Sequence, residues 1–210
     1  MYVPQHFLVS DGATLRELID HHAFGLLVTA GDGLPFATHL PFALHRGEGE
    51  HGTLYAHMAR ANPQWRAFTG GGQALAIFQA EHGYISPAWY EAPESVPTWN
   101  YRAVHAYGKP RIIDGDDEVR RVLDELVEIH ESPRSDRWSM QGVSEEYLAR
   151  MRQAIVAFAM PIERLEGKFK LSQNRPQADR EHVMQVLAAS PRHGDRELAA
   201  AMEHWAPVRR

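Results

Sequence analysis

The first half of the chain alternates short apolar runs with polar turns, the pattern of antiparallel strands joined by hairpins. An apolar run over 24–29 precedes Gly31-Asp32-Gly33, a sequence typical of a hairpin turn, and 35–44 is the expected return strand. Further strands are predicted over 53–58, 73–79 and 100–113, and the third of these is expected to be long or bulged. Short strands at this spacing indicate a closed or nearly closed antiparallel barrel.

Helix signals stand near the N-terminus, between two predicted strands and throughout the second half. Thr14-Leu15-Arg16-Glu17 fits a capping box, and Asn62-Pro63 fits an N-cap followed by proline at the first helical position. The acidic stretch 114–118 and the capping residue Ser144 begin two longer helices. Their apolar faces are Val119, Val122, Leu123, Leu126, Val127 and His130, and Tyr147, Leu148, Met151, Ile155 and Phe158. A last strand is predicted over 157–165, with C-terminal helices over 180–189 and 195–205.

The composition is that of a soluble globular protein and excludes several classes. The 210 residues, 44% hydrophobic and 23% charged, suffice for one substantial core. The net charge of -5 argues against a general nucleic-acid coat, and the absence of cysteine excludes disulfides and thiolate sites. No apolar run approaches the roughly 20 residues that span a bilayer. Because no secretory signal pattern is found either, we expect a cytoplasmic protein without a membrane partner.

The stretch from Tyr84 to Tyr107 combines aromatic residues with turn-forming prolines. It holds four of the seven tyrosines, two of the five tryptophans and only three charged residues. Tyr and Trp can stack through the ring and hydrogen-bond at its edge, so rigid loops that carry them suit a flat aromatic ligand. A β-hairpin whose aromatic side chains fill a core fits the same stretch, and both interpretations stay open on this segment alone.

Three polar segments are candidates for the rest of such a site. In THLPF, Pro41 cannot donate to a sheet ladder, which indicates an edge, a bulge or simply the end of a strand. In HMARANP, Arg60 beside a helix start can hold an anion such as phosphate, or it is a solvated side chain next to a cap. KLSQNR, at 170–175, places two cations, a hydroxyl and two amides after a strand, although an ordinary polar loop also carries such residues.

Metal, hydrolase and DNA-reading motifs are weak or missing. The thirteen histidines are scattered without HExxH, so a metal or haem site is open only through histidines of neighbouring strands. Neither a G-x-S-x-G elbow nor a phosphate-binding loop occurs. Residues 175–210 carry six basic and five acidic residues, which is a poor charge balance for a DNA-recognition helix.

Taken together and in order, these segments resemble the PaiB family of FMN-binding negative transcriptional regulators. The matching pieces are MYVPQHF, THLPF, HMARANPQW, YISPAWY, VPTWNYRAVHAYG and KLSQNR, spread over nearly the whole chain. The resemblance implies a mainly β fold with helices (α+β), an antiparallel FMN-binding split β-barrel over 1–175. It also implies a C-terminal helical extension over 176–210, packed on the barrel or on a partner subunit, and a homodimer with FMN at its interface.

The resemblance further implies which residues bind the cofactor. Thr38, His39, Leu40 and Pro41 are expected at the flavin edge, and His57, Arg60 and Asn62 around the phosphate. Trp99, Asn100 and Tyr101 are expected to close the site, from the same or the other subunit, and Lys170, Ser172, Gln173, Asn174 and Arg175 to complete its polar lining. The implied function is an FMN-binding transcriptional regulator, with a flavin-dependent oxidoreductase or flavin reductase using NAD(P)H as the alternative.

Overall fold

The computed structural model describes residues 1–31, 34–92 and 94–205, and the following elements lie within them. The strands are β1 (Leu8–Val9), β2 (Phe24–Gly31), β3 (Leu34–Pro41), β4 (Ala43–His45), β5 (Thr53–Ala59), β6 (Ala74–Ile85), β7 (Thr98–Gly108), β8 (Arg111–Ile112) and β9 (Ile155–Lys170). The α-helices are α1 (Gly12–His21), α2 (Asp116–Glu131), α3 (Glu145–Gln153), α4 (Gln177–Ala188) and α5 (His193–His204). Short 3-10 helices cover Gln5–Phe7, Pro63–Phe68, Pro87–Trp89 and Met140–Gly142.

The strands form one sheet in the order β3-β2-β6-β7-β9-β5-β4, and β1 and β8 also pair with β9. β2 and β3 are antiparallel from Phe24 opposite Pro41 to Gly31 opposite Leu34. β5 runs antiparallel to β9 over its whole length. The predicted α+β class, with an antiparallel sheet and C-terminal helices, is confirmed. Asp32 and Gly33 of the predicted hairpin turn lie outside the described residues.

The chain divides into two compact units. The smaller contains residues 1–15, 79–104 and 166 onward, and the larger contains residues 16–78 and 105–165. Strands β6, β7 and β9 therefore contribute residues to both units. The predicted domain boundary at residue 175 stays a prediction.

The larger unit buries both faces of β5. On one face, Phe42 meets Phe78 and Phe158 edge-on, with ring centroids 5.4 and 6.4 Å apart. On the other face, Tyr55 shares a buried cluster with residues of α2 and β9: Val122, Leu126, Ala157 and Ala159. Truncating a buried Phe of this kind typically costs about 3–5 kcal/mol, so this core fixes the strands that carry the candidate residues.

The smaller unit packs α4 and α5 through buried apolar residues that include Val183, Leu187, Leu198 and Met202. Arg180 is buried, and its guanidinium donates to the carbonyl oxygens of Met202 and Trp205, the second at 3.1 Å. These carbonyls stand at the end of α5, where the helix supplies no partner of its own. Arg180 therefore holds the backbone at the end of α5.

Two local cap predictions are confirmed and one is wrong. The Asn62 side chain accepts from the Gln64 N–H at 3.0 Å, at the start of the 3-10 helix, and Ser144 accepts from the Tyr147 N–H at 3.4 Å, at the start of α3. Thr14 does not cap α1. Its N–H donates to the Asp11 carboxylate at 2.9 Å, and the helix begins at Gly12, because an aspartate three residues earlier takes the capping position.

Three predicted elements are divided differently in the structure. The strand expected over 35–44 is β3 and β4, interrupted at Phe42, whose N–H donates to the Ala23 carbonyl at 2.9 Å. The strand expected over 100–113 is β7 and β8, interrupted at Lys109-Pro110, because proline has no N–H for the ladder. Ile155 and Phe158 do not belong to the helix begun by Ser144, since α3 ends at Gln153 and both residues lie in β9.

Candidate functional site

A hydrogen bond joins two of the sequence segments that were predicted to form the site. Asn62 precedes the 3-10 helix and Thr38 lies on the edge strand β3, and Asn62 Nδ2 donates to Thr38 Oγ1 at 2.9 Å. The next side chain, Gln64, is buried, and its Nε2 donates to the Leu27 and Phe36 carbonyls at 3.0 and 3.1 Å. The amides of Asn62 and Gln64 therefore fix the 3-10 helix against β2 and β3.

A cavity of about 620 Å³ opens beside this junction. Its walls include Leu34, Pro35, Phe36, Pro63, Gln64 and Arg66. Leu34 and Phe36 are exposed, at 75% and 43%, and the Arg66 guanidinium lies 5.6 Å from the Trp65 ring centre. A wall that combines apolar side chains with a cation and an amide offers the groups that a ligand with a ring and a phosphate can contact.

The rest of the THLPF segment lies on β3 with mixed exposure. His39 is exposed and stacks on Phe24, with ring centroids 6.0 Å apart, while Leu40 is buried. Pro41 is the last residue of β3, and β3 stands at one end of the strand order, so the strand-end and edge interpretations of this proline both hold. The backbone groups of an edge strand are the ones that a ligand can reach.

His57 and Arg60 have partners of a different kind. The Arg60 guanidinium donates to the Gln153 and Ile155 carbonyls, both at 2.7 Å, and so holds the end of α3. His57 lines a separate cavity under α2 and α3. Its Nδ1 is buried and has no hydrogen-bond partner among the described residues, and burial lowers the pKa of the imidazole below its usual 6.5. The structure therefore shows a structural role for Arg60, and a phosphate contact for either residue stays a prediction.

In the smaller unit, the WNY and KLSQNR segments meet through Asn100 and Ser172. Asn100 is buried and its Nδ2 donates to Ser172 Oγ at 2.9 Å. Lys170 Nζ donates to the Trp99 carbonyl at 2.6 Å and to Thr98 Oγ1. Burial, together with the charges of Lys168 and Arg175, lowers the pKa of Lys170. These contacts join the two predicted segments within one cluster.

The remaining residues of these segments divide between surface and packing. Trp99 is 53% exposed and stacks on His82, and the Lys168 Nζ lies 5.3 Å from the Tyr101 ring centre. Gln173 uses its amide on its own turn, accepting from the Leu171 N–H at 2.6 Å and donating to the Phe169 carbonyl. Asn174 is exposed, and the Arg175 guanidinium lies 4.3 Å from the Tyr90 ring centre. The aromatic stretch is thus partly packing, at Tyr90, and partly open surface, at Trp99.

Unpartnered buried polar atoms mark both clusters. Gln64 Oε1 and Asn100 Oδ1 are buried and lack hydrogen-bond partners among the described residues. Buried polar atoms are usually paired, so such atoms concentrate where a ligand or water completes the site. Within the larger unit, the Gln64 amide and the exposed Phe36 ring are groups that a flavin, whose ring is flat and has a polar edge, can contact.

Gln64, Phe36 and Arg66 were not among the predicted site residues. Gln64 directly follows Asn62-Pro63, and a long amide immediately after a helix cap was the available signal. Phe36 and Arg66 had no comparable signal, because only the fold brings them to one cavity.

Solved structures of other proteins share this fold. The FAD and heme binding protein from Mycobacterium smegmatis is 22% identical, with a TM-score of 0.59, over 78% of this chain and 73% of that chain. The flavocytochrome Anf3 from Azotobacter vinelandii is 17% identical, with a TM-score of 0.61, over 80% of this chain and 72% of that chain. At these identities the likeness shows a shared fold.

The sequence comparisons define the family. Residues 1–164 match the family model described as "Putative FMN-binding domain", so the chain belongs to that family. The Bacillus subtilis protein named "Protease synthase and sporulation protein PAI 2" is 35% identical over 203 residues, which cover 97% of each chain. The predicted membership of a PaiB-type family is confirmed, and it supports a flavin cofactor.

Two features, a metal-binding cluster and a membrane-spanning helix, are absent from the described residues. Across 1–31, 34–92 and 94–205, no group of three His, Cys, Asp or Glu side chains is arranged to hold a metal ion. In the same residues, no helix is both long and apolar enough to span a membrane.

Proposed function

We propose that this protein binds FMN non-covalently and acts as a regulator of the PaiB type. The family match over residues 1–164 supports FMN as the flavin, and the Bacillus subtilis relative supports the PaiB type. The structural observation that carries the proposal is the hydrogen bond from Asn62 to Thr38, which joins two motif segments beside the cavity of about 620 Å³.

The residues around that junction are those that would hold FMN. Backbone groups of β3 from Thr38 to Pro41 would face the polar edge of the ring, and Phe36 would supply apolar contact. Arg66, a cation of the cavity wall, would bind the phosphate together with Asn62. When bound, FMN supplies one- and two-electron redox chemistry, which the side chains of the protein do not provide.

We further propose a homodimer. Phe24, Leu34 and Phe36 lie on the β2–β3 pair and are 68%, 75% and 43% exposed. An exposed apolar patch on an edge strand of eight residues marks an interaction surface, because such edges otherwise invite aggregation. In such a dimer, we propose that the partner subunit's flavin site is completed by the exposed Trp99, together with Asn100, Tyr101 and the KLSQNR turn.

The dimer is tested by analytical ultracentrifugation of wild type and of Leu34→Asp. We expect a dimer that the charged variant shifts to monomer, with Glu50→Lys, an exposed change on the 45–52 turn, as the control that remains dimeric. A wild-type monomer at tens of micromolar would contradict the proposal.

The regulatory role rests on the family resemblance, and the net charge of -5 gives it no electrostatic support at the DNA. A gel-shift series with the DNA upstream of its own gene, at rising salt, tests it directly. We expect sequence-dependent retardation that changes between the FMN-loaded and FMN-free protein. Binding that is absent, or equal for unrelated DNA, would contradict specific repression.

A parallel anaerobic titration separates the regulator from a reductase. A regulator that does not use pyridine nucleotides keeps its flavin absorbance near 450 nm, a typical flavin band, when NADH or NADPH is added. Rapid bleaching would instead identify the flavin reductase alternative.

A further inference from the structure

A second cavity, separate from the one beside Asn62, lies between α2, α3 and the end of β5. Its volume is about 470 Å³, which is within the usual range for a site that binds a small molecule. Its apolar lining consists of Leu123, Met140, Val143, Leu148, Met151 and Ile155. Two methionines in one wall give a surface that adapts to ligand shape and contacts aromatic rings favourably.

The charges at this cavity are balanced within the protein. Arg152 donates to Asp116 at 2.9 Å and to Glu145 at 2.6 Å, and Arg120 pairs with Glu145 at 2.5 Å. Asp124 adds a further carboxylate to the wall. Because both arginines already have carboxylate partners, an anionic ligand such as a phosphate would meet no available positive charge.

His57 is the polar group at the strand side of the cavity. Burial lowers the pKa of the imidazole below its usual 6.5, which favours the neutral ring, and its buried Nδ1 has no hydrogen-bond partner among the described residues. A neutral imidazole both donates and accepts, so a ligand in the cavity can pair with the other ring nitrogen, Nε2. A hydrogen bond to Nε2 favours apolar ligands that carry one hydrogen-bonding group.

We propose that this cavity binds an uncharged aromatic molecule of one or two rings, held by the methionine-rich wall and by one hydrogen bond to His57. Such a ligand would act as an effector or substrate of the protein. The proposal does not depend on flavin binding at the Asn62 junction, since the two cavities share no lining residue.

The probe is indole, with 1-methylindole to remove the N–H and benzoate to add a negative charge. Binding is followed by the NMR shifts of ¹³C-labelled methionine methyl groups in the protein as purified, and Met140 and Met151 are the expected reporters. We expect saturable shifts with indole, at least fivefold weaker binding of 1-methylindole, and no saturation with benzoate. In His57→Leu, indole and 1-methylindole should bind equally.

Leu148→Trp and Tyr147→Trp form the matched pair of variants. Both add an indole ring to neighbouring positions of α3, but Leu148 lines the cavity and Tyr147 is exposed. We expect Leu148→Trp to weaken indole binding at least tenfold and Tyr147→Trp to leave it unchanged. Met151→Trp gives a second cavity-filling variant if Leu148→Trp does not fold.

Two results would overturn the proposal. One is the absence of saturable shifts in the wild-type protein at millimolar indole, which needs no variant to interpret. The other is release of bound flavin by indole, seen as free-flavin fluorescence, which would identify the cavity as part of the flavin site. Full flavin content in Asn62→Ala with indole binding retained would leave this proposal standing while weakening the proposed function.

Discussion

Asn100 and Ser172 are joined by a buried hydrogen bond of 2.9 Å that connects β7 to the turn after β9. Ser172 adopts φ 62°, the left-handed region, and is the one non-glycine residue with positive φ among the described residues. That conformation costs an L-residue about 1–2 kcal/mol, so the surrounding contacts must hold it in place. The bond to Asn100 is one such contact, and it sets the geometry of the KLSQNR turn.

Ser172→Ala is expected to lower the free energy of unfolding by about 1–2 kcal/mol, because it removes the oxygen acceptor of the buried Asn100 amide and leaves only the weaker Met202 sulfur at 3.5 Å. Ser172→Gly loses the same hydrogen bond, but glycine adopts the left-handed conformation without strain. The free energy of unfolding should therefore fall less in Ser172→Gly than in Ser172→Ala. Urea unfolding measures both. Asn174→Ala, two residues on and exposed, is the control and should stay within about 0.5 kcal/mol of wild type. Equal stability of Ser172→Ala and wild type would contradict this account of the turn.

His45 of β4 contacts two carboxylates, Glu48 in the following turn and Glu125 on α2, which makes part of the stability depend on pH. Nδ1 lies 2.9 Å from Glu48 and Nε2 lies 2.6 Å from Glu125, and Glu48 also accepts from the Tyr55 hydroxyl at 2.6 Å. Burial alone lowers the pKa of His45, but the hydrogen bonds to Glu48 and Glu125 outweigh it and raise the pKa above 6.5. The Arg121 guanidinium lies 5.7 Å from the Tyr55 ring centre in the same cluster.

Since the folded-state pKa of His45 is raised, its contribution is full below the unfolded value of 6.5 and is lost as pH rises through the folded value. As pH rises from 6.5 through the folded-state pKa, the free energy of unfolding of the wild type should therefore fall relative to that of His45→Gln. Thermal or urea unfolding of both proteins at a series of pH values measures the difference, and glutamine keeps a hydrogen-bonding side chain without the titration. A wild-type-minus-variant stability that does not change with pH would exclude the ion pair.

Gly108 ends β7 where the chain leaves no room for a side chain. A Cβ at this position would lie well inside the contact distance of the Pro161 carbonyl oxygen, a backbone atom that cannot move aside cheaply. Gly108→Ala should therefore destabilise by several kcal/mol, or fail to yield folded protein. Gly115→Ala is the control, because its Cβ would have its nearest neighbour at 3.9 Å. Soluble yield and melting temperature compare the two, and an unperturbed Gly108→Ala would show that β7 and β9 do not approach as described.

Removing either partner of the hydrogen bond between Asn62 and Thr38 should weaken FMN binding to a similar extent. Thr38→Val keeps the shape of the side chain but removes the hydroxyl that accepts from Asn62, and Asn62→Ala removes the donor. Each is expected to weaken FMN about tenfold or more, and the double variant should lose less than the sum, because both remove one interaction. Flavin fluorescence titration of flavin-free protein measures the affinities. Thr14→Val is the control: it removes a hydroxyl that donates to Asp11, and it should bind FMN with wild-type affinity. Strictly additive losses of FMN affinity in the Thr38 and Asn62 variants would contradict a shared junction.

Signals carried by neighbouring residues were readable from the sequence. Asn62-Pro63 and Ser144 specify helix starts because the capping side chain and the N–H that it accepts from are two or three positions apart. Pro41 indicated an edge because its missing donor is a property of one residue. The same reasoning placed the cap of α1 at Thr14, where the pattern Thr14-Leu15-Arg16-Glu17 fits a capping box, although Asp11 is the residue that accepts from the Thr14 N–H.

Features that depend on distant residues were not readable. The break at Phe42 depends on the Ala23 carbonyl, and the role of Arg60 depends on the carbonyls of Gln153 and Ile155, more than ninety residues away. Gln64 entered the site only because the fold places Leu27 and Phe36 within reach of its amide. For the same reason, the motif-bearing segments indicated the family while leaving the individual partners of His57 and Arg60 open.

The central claim, that this protein binds FMN at the Asn62–Thr38 junction, is tested most directly by identifying the cofactor of the purified protein and of Asn62→Ala in parallel. The visible spectrum is recorded, the proteins are denatured, and the released compound is separated by chromatography against FMN, FAD and riboflavin. We predict a yellow wild-type protein that releases FMN at close to one per chain, and a variant with a strongly reduced content but a similar unfolding curve. A colourless wild type that does not take up added FMN, or full FMN content in Asn62→Ala, would contradict the claim.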